Sequence, residues 1–142
     1  MKKYKHLFFD LDHTLWDFNK NTYETIQEIY EIYNFSKWDF FTFHEFIEVF
    51  KEVNNHLWDR YNHGLTDRME LRNTRFEIVL SKLGVAAGDI PTGIGEKYLE
   101  LSPVKPNVLP YTNEVLSYLK PNYQLHILSN GFDDVQHTKL KS

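Results

Sequence analysis

Along the 142-residue chain the spacing of hydrophobic positions changes several times, and each change predicts an element. Leu7-Phe8-Phe9 is a continuous apolar run cut off by Asp10-Leu11-Asp12, the pattern of a short strand buried on both faces. A helical period follows. Asn21 and Glu24 have the spacing of an N-terminal capping box, and Tyr23, Ile26, Ile29, Tyr30 and Tyr33 carry the period onward. Thr42 and Glu45 repeat that signature ahead of the stripe Phe43, Phe46, Ile47, Phe50, Val53, Leu57, Trp58 and Tyr61, which should end near Gly64. A third helix is expected from Thr66 or Asp67 through Met69, Phe76, Val79, Leu80 and Leu83 to Gly84, and a weaker one from Pro91 to Leu101.

The period breaks at Ser102. Pro103, Pro106 and Pro110 exclude a helix interior and read as a linker. Thr112 is expected to cap a short helix holding Val115, Leu116 and Leu119, closed by Pro121. Residues 123–128 read as a second buried strand, ended by Ser129-Asn130-Gly131, and a last helix should begin at Asp133 or Asp134. Strand, helical block, linker, helix and strand make an α/β core from residues 1–16 and 102–142, with a helical insertion over 17–101.

Composition narrows the function classes. A formal charge of −4 supplies no general field for nucleic acid or an anionic membrane surface. With 42% apolar and 25% charged residues the chain is globular rather than disordered. Cysteine is absent, which removes disulfides, thiolate metal sites and Cys nucleophiles together and fits a reducing compartment. The basic start Met1-Lys2-Lys3-Tyr4-Lys5 resembles the opening of a signal peptide, but the apolar run after it stops at Asp10. No stretch is long and apolar enough to span a membrane, so the expectation is a soluble, cytoplasmic protein.

Asp10 and Asp12 leave the first strand two residues apart, so both carboxylates point the same way while Leu11 faces the interior. In open α/β sheets the ligand crevice lies at the carboxyl ends of the strands. Adjacent carboxylates repel unless a cation or a shared proton sits between them. The pair therefore suggests a Mg²⁺ site with one acid as nucleophile and the other as proton donor and acceptor. By itself, an Asp-x-Asp is more often a turn in which Asp12 caps a helix.

The wider context weighs against the turn. Leu-Phe-Phe-Asp-Leu-Asp-His-Thr-Leu, residues 7–15, resembles the first motif of the haloacid dehalogenase superfamily, and Leu-His-Ile-Leu-Ser-Asn-Gly-Phe, residues 125–132, resembles its second. The resemblance implies a Rossmann-like core and a set of roles. Asp10 would attack phosphorus and hold Mg²⁺ with its other oxygen. Asp12 would protonate the leaving oxygen, then activate water, its backbone carbonyl also reaching the metal. Ser129 would hydrogen-bond the phosphoryl oxygens, helped by backbone N–H groups around Leu11 and Asn130. A highly charged transition state needs such donors. Thr14 reads as a turn-stabilising residue and His13 as a solvent-facing loop residue. Members that displace halide lack an acid at the position of Asp12, so its presence argues for phosphoryl transfer.

The superfamily's third motif, a Lys, and its fourth, an acidic pair, are not identifiable. Lys139 and Lys141 follow Ser129 too closely and read as the solvent face of the last helix, and Asp133-Asp134 as its N-terminal turn. The sequence thus reads as the first part of a longer enzyme. The 142 residues alone should have little phosphatase activity, and their exposed sheet edges could pair with a second copy. The insertion matches a helical cap that excludes water and selects substrate. Trp58-x-x-Tyr61-x-x-Gly64, Arg75-Phe76 and Ser129-Asn130-Gly131-Phe132 resemble the bacterial pyrimidine 5′-nucleotidase branch, which implies a nucleoside 5′-monophosphate substrate. The aromatic stripe reads first as cap core, Arg72 and Arg75 as helix-surface ion pairs, and His56 with His63 as too few for a metal site. A sugar-phosphate phosphatase, a phosphomutase, or an inactive binding module are the alternative readings.

Overall fold

In the computed structural model, which describes residues 4–142, the apolar run ahead of Asp10 forms β1 (His6–Phe9) and pairs in parallel with β2 (Gln124–Ile127). Phe9 lies opposite Ile127, so Asp10 and Leu128 leave the sheet at the same end. The basic start Met1-Lys2-Lys3 lies outside the described residues. Between the strands run α1 (Phe18–Ile32), α2 (Phe43–Asn62), α3 (Arg68–Lys82), α4 (Ile94–Leu101) and α5 (Thr112–Leu119), and α6 (Asp133–Lys141) follows β2.

The chain divides into two units, one taking in residues up to Glu24 and from Leu101 to Ser142, the other Thr25–Glu100. The first is the α/β unit. Its core is Leu11, Leu15 and Trp16, packed against Phe9, Phe18, Leu116 and Ile127. Burying Leu11 and Leu15 contributes about 1.5–3 kcal/mol each. The sheet is not buried on both faces as the apolar run predicts: His6 and Phe8 alternate outward, and Phe8, stacked on His126 at 4.7 Å, is 64% exposed.

The segment read as a proline-rich linker is fixed in place. Trp16 pairs antiparallel with Val108, and the indole N–H of Trp16 donates to Lys105 O at 3.0 Å. Asn21 does not cap α1. That helix starts at Phe18, and Asp17 receives the Lys20 N–H at 3.0 Å in the capping position. Asn21 is buried instead, exchanging hydrogen bonds with Asn107 through both ends of its amide (2.8 Å to the Asn107 carbonyl, 2.7 Å from its side chain). Thr112 likewise is the first residue inside α5, with Tyr111 before it in a left-handed conformation (φ 67°), and its hydroxyl donates to Leu15 O. Val115, expected on the buried side, is 43% exposed.

The second unit is helical. Thr42 and Glu45 form the expected capping box at the start of α2, and Asp67 caps α3 by accepting the Glu70 N–H. Gly64 and Gly84 follow α2 and α3 with φ of +69° and +93°, the left-handed turn a side chain resists. Phe46 and Phe50 of α2 are fully buried, whereas Met69, at the start of α3, faces solvent.

Candidate active site

The site is built at the carboxyl ends of the two strands. After Asp10 the chain turns back on itself. His13 takes a left-handed conformation (φ 63°), which lets the Trp16 N–H reach Leu11 O at 2.9 Å while the His13 N–H donates to Trp16 O at 3.1 Å. These two bonds flank Asp12 and leave its own carbonyl outside the pairing. Thr14 closes the loop on Asp10, its hydroxyl donating to Asp10 Oδ2 at 3.1 Å, and His13 remains exposed with its ring against Phe18. Leu11 is buried, as period-two alternation requires, while Asp10 is exposed and Asp12 half-buried.

From β2 the chain runs through Ser129, Asn130 and Gly131 into α6, whose N-terminal turn carries Asp133 and Asp134. Ser129 Oγ accepts the Gly131 N–H at 3.2 Å and the Gln136 side-chain amide at 2.6 Å. The same amide nitrogen donates to Asp12 Oδ2 at 2.9 Å. One turn further on, Lys139 places its ammonium 2.5 Å from Asp12 Oδ1 and 4.1 Å from the centre of the Trp16 ring. The second acid of the first motif and the serine of the second are thereby joined through one side chain. Asn130 is exposed beside them.

Lys139 is therefore not on the solvent face. Its side chain is 6% exposed, while Lys141 is open to water. The reason is helical geometry: residues two apart point to opposite sides, and Phe132, Gln136 and Lys139 follow the i, i+4, i+7 spacing of one face. Burial pulls the Lys139 ammonium below the usual lysine range, opposed by the carboxylates of Asp12 and, more weakly, Asp10. Gln136 and Lys139 are the site residues that the sequence reading misses. The signal for them was their spacing from Phe132, since a polar pair in phase with an aromatic anchor belongs to the packed side.

In the helical unit, Arg75 is not a surface ion-pair residue. It is 5% exposed, donates to Asn54 Oδ1 at 3.2 Å and lies 4.8 Å from the Tyr98 ring centre. Burial lowers its affinity for the proton, partly offset by Tyr98. Trp58 and Tyr61 are half-buried and meet edge to face at 5.6 Å. His56 and His63 are exposed, and His63 Nδ1 bonds the Asp59 carbonyl at 2.8 Å. Among the described residues no group of three or more His, Asp or Glu side chains is placed to enclose a metal ion, and no helix is long and apolar enough to cross a membrane.

Comparison with known proteins covers nearly the whole chain. Residues 4–142 match the haloacid dehalogenase-like hydrolases. YfnB of Bacillus subtilis (strain 168), named as a HAD-hydrolase, is 26% identical over 141 residues, and the pyrimidine 5′-nucleotidase YjjG of Escherichia coli (strain K12) is 27% identical over 139. These alignments take in 99% and 98% of this chain but 57% of each relative, so the chain spans little more than half their length. The crystal structure of YfnB bound to magnesium superposes with a TM-score of 0.81 at 25% identity, covering 99% of this chain and 60% of that one. That crystal structure reveals interdomain movement in YfnB.

Proposed function

This chain belongs to the haloacid dehalogenase-like hydrolase family, and from that membership we propose that it acts in phosphomonoester hydrolysis through an aspartyl-phosphate on Asp10. The observation that carries the reading is the convergence of Asp10, Asp12 and Ser129 at one end of two parallel strands, with Gln136 linking the last two. Asp10, its carboxylate oriented by Thr14, forms the new P–O bond as the ester P–O bond breaks, and Asp12, protonated in the complex with substrate, gives the leaving oxygen its proton. Water then attacks phosphorus, Asp12 takes the proton back, and the acyl-phosphate bond breaks to release phosphate and free Asp10. Ser129 and the backbone N–H groups near Leu11 and Asn130 donate to the phosphoryl oxygens throughout.

The donor set fits Mg²⁺. The ion takes hard oxygen ligands and keeps several waters, so a few protein donors suffice. Among the described residues Asp10 Oδ1 is left free by Thr14, and the Asp12 carbonyl lies outside the loop's hydrogen bonds, whereas the Asp12 carboxylate is already engaged by Lys139 and Gln136. Asp10 and the Asp12 carbonyl would hold the ion, which when bound offsets phosphoryl charge.

The substrate class proposed is a nucleoside 5′-monophosphate, supported by the likeness to YjjG and by the aromatic residues of the helical unit, which is inserted in sequence where a cap would be. Phe46 and Phe50 are fully buried and unable to stack on a base, while Phe43, Trp58 and Tyr61 of the same stripe are half-buried, and of these the Trp58-x-x-Tyr61 pair carries the nucleotidase likeness and is assigned that role. The test is hydrolysis of p-nitrophenyl phosphate and a nucleoside monophosphate panel by the full gene product with Mg²⁺. Asp12→Asn should lose about 10²–10⁴ in kcat, the usual weight of a general acid. Trp58→Ala and Tyr61→Ala should raise KM for nucleotides but not for p-nitrophenyl phosphate. Normal turnover by Asp12→Asn refutes its role, and unselective effects at Trp58 and Tyr61 refute the stacking.

A further inference from the structure

We infer that Gln136 is a positioning residue that aims the Ser129 hydroxyl at the phosphoryl group while tying it to Asp12, an inference that rests on the function proposed above. A serine hydroxyl has one hydrogen to donate and two sites at which it accepts. Both acceptor sites of Ser129 are occupied from within the chain, by Gln136 Nε2 at 2.6 Å and by the Gly131 N–H at 3.2 Å. What remains is the hydrogen itself, turned away from both donors. Ser129 is thus made an obligate donor, the capacity that a phosphoryl oxygen requires.

Gln136 spends both of its amide hydrogens in this way, one on Ser129 and one on Asp12 Oδ2 at 2.9 Å. Its carbonyl oxygen is buried with no partner among the described residues. An unpaired buried acceptor is costly, and an apolar side chain of the same size would avoid that cost. The amide is therefore retained for what its nitrogen holds rather than for packing. Gly131 makes the room: a Cβ there would lie 2.3 Å from Gln136 Nε2 and 2.4 Å from its Cδ, closer than any contact allows. The glycine of the Ser129-Asn130-Gly131 turn is required by this close approach, its φ not being in the left-handed region.

The test uses the full gene product with Mg²⁺ and p-nitrophenyl phosphate. Gln136→Met keeps the side-chain length and removes the amide, and Gly131→Ala expels the amide without changing Gln136. Both should lower kcat by about 10–100-fold, as a misaimed catalytic contact does, with KM within about threefold of wild type. Circular dichroism and thermal midpoints show whether each variant is folded, and either one suffices if the other is not. Active wild type together with a folded variant of unchanged kcat overturns the inference and leaves the proposed function standing. Wild type inert on every ester overturns the proposed function instead. Inorganic vanadate binding, read by calorimetry, then decides the inference: weaker binding to the variants supports it, and equal or absent binding overturns it.

Discussion

The ammonium of Lys139 sits against Asp12 Oδ1 and the face of Trp16, and its side chain is almost wholly shielded from water. Removing one partner of a shielded pair strands the other. Lys139→Met should therefore destabilise the fold toward the lower end of the ~3–5 kcal/mol that breaking a buried pair costs, because Asp12 remains 24% exposed and keeps some water. Urea unfolding measures this, and a change below about 0.5 kcal/mol, the level of an exposed pair, would contradict it. The acids themselves were legible in the sequence because the two-residue spacing at a strand end fixes their direction whatever surrounds them. Lys139 and Gln136 were not. Their roles depend on how α6 packs beside a loop more than 120 residues earlier, and local spacing gives only the face they share.

Among the elements, helix starts divide into those set locally and those set by distant contacts. Thr42 and Glu45 behave as their spacing predicts, with the Thr42 N–H and hydroxyl donating to Glu45 Oε2 at 2.7 and 2.8 Å. Asn21 and Glu24 have the same spacing, but Asn107 and Asp17 take over: one buries Asn21 and the other caps the helix four residues earlier. Capping-box spacing alone does not distinguish a terminus from a buried amide inside a helix. Thr42→Ala should cost about 0.5–2 kcal/mol. The backbone N–H of Thr42, and then its hydroxyl, hold the Glu45 carboxyl below its ordinary value. A carboxylate depressed on folding stabilises above its unfolded pKa, and that contribution is lost as pH falls through the folded one. The stability gap between wild type and Glu45→Gln, followed by thermal unfolding, should thus be present at pH 7 and shrink below pH ~4.5, the ordinary carboxylate value. A gap constant down to pH ~3 would contradict the pairing.

At the scale of the molecule, the α/β unit carries Asp10, Asp12 and Ser129, and the helical unit is inserted in sequence between its two halves. Alternation of strand, helical block, helix and strand made this order legible. The pinning of residues 105–112 onto the Trp16 loop was not, because prolines announce only that a helix is excluded and say nothing of what the segment bonds. The proposed function assigns chemistry to the α/β unit and selectivity to the helical unit, so changes in the helical unit should shift substrate preference without abolishing turnover. The central claim is the covalent step on Asp10. The direct measurement is acid quenching of the full gene product during turnover of a phosphate ester labelled at phosphorus, followed by peptide mapping. The account predicts label on the peptide that carries Asp10, sensitive to hydroxylamine as an acyl-phosphate is, and neither label nor turnover in Asp10→Asn. Turnover by Asp10→Asn, or label on any other residue, would contradict it.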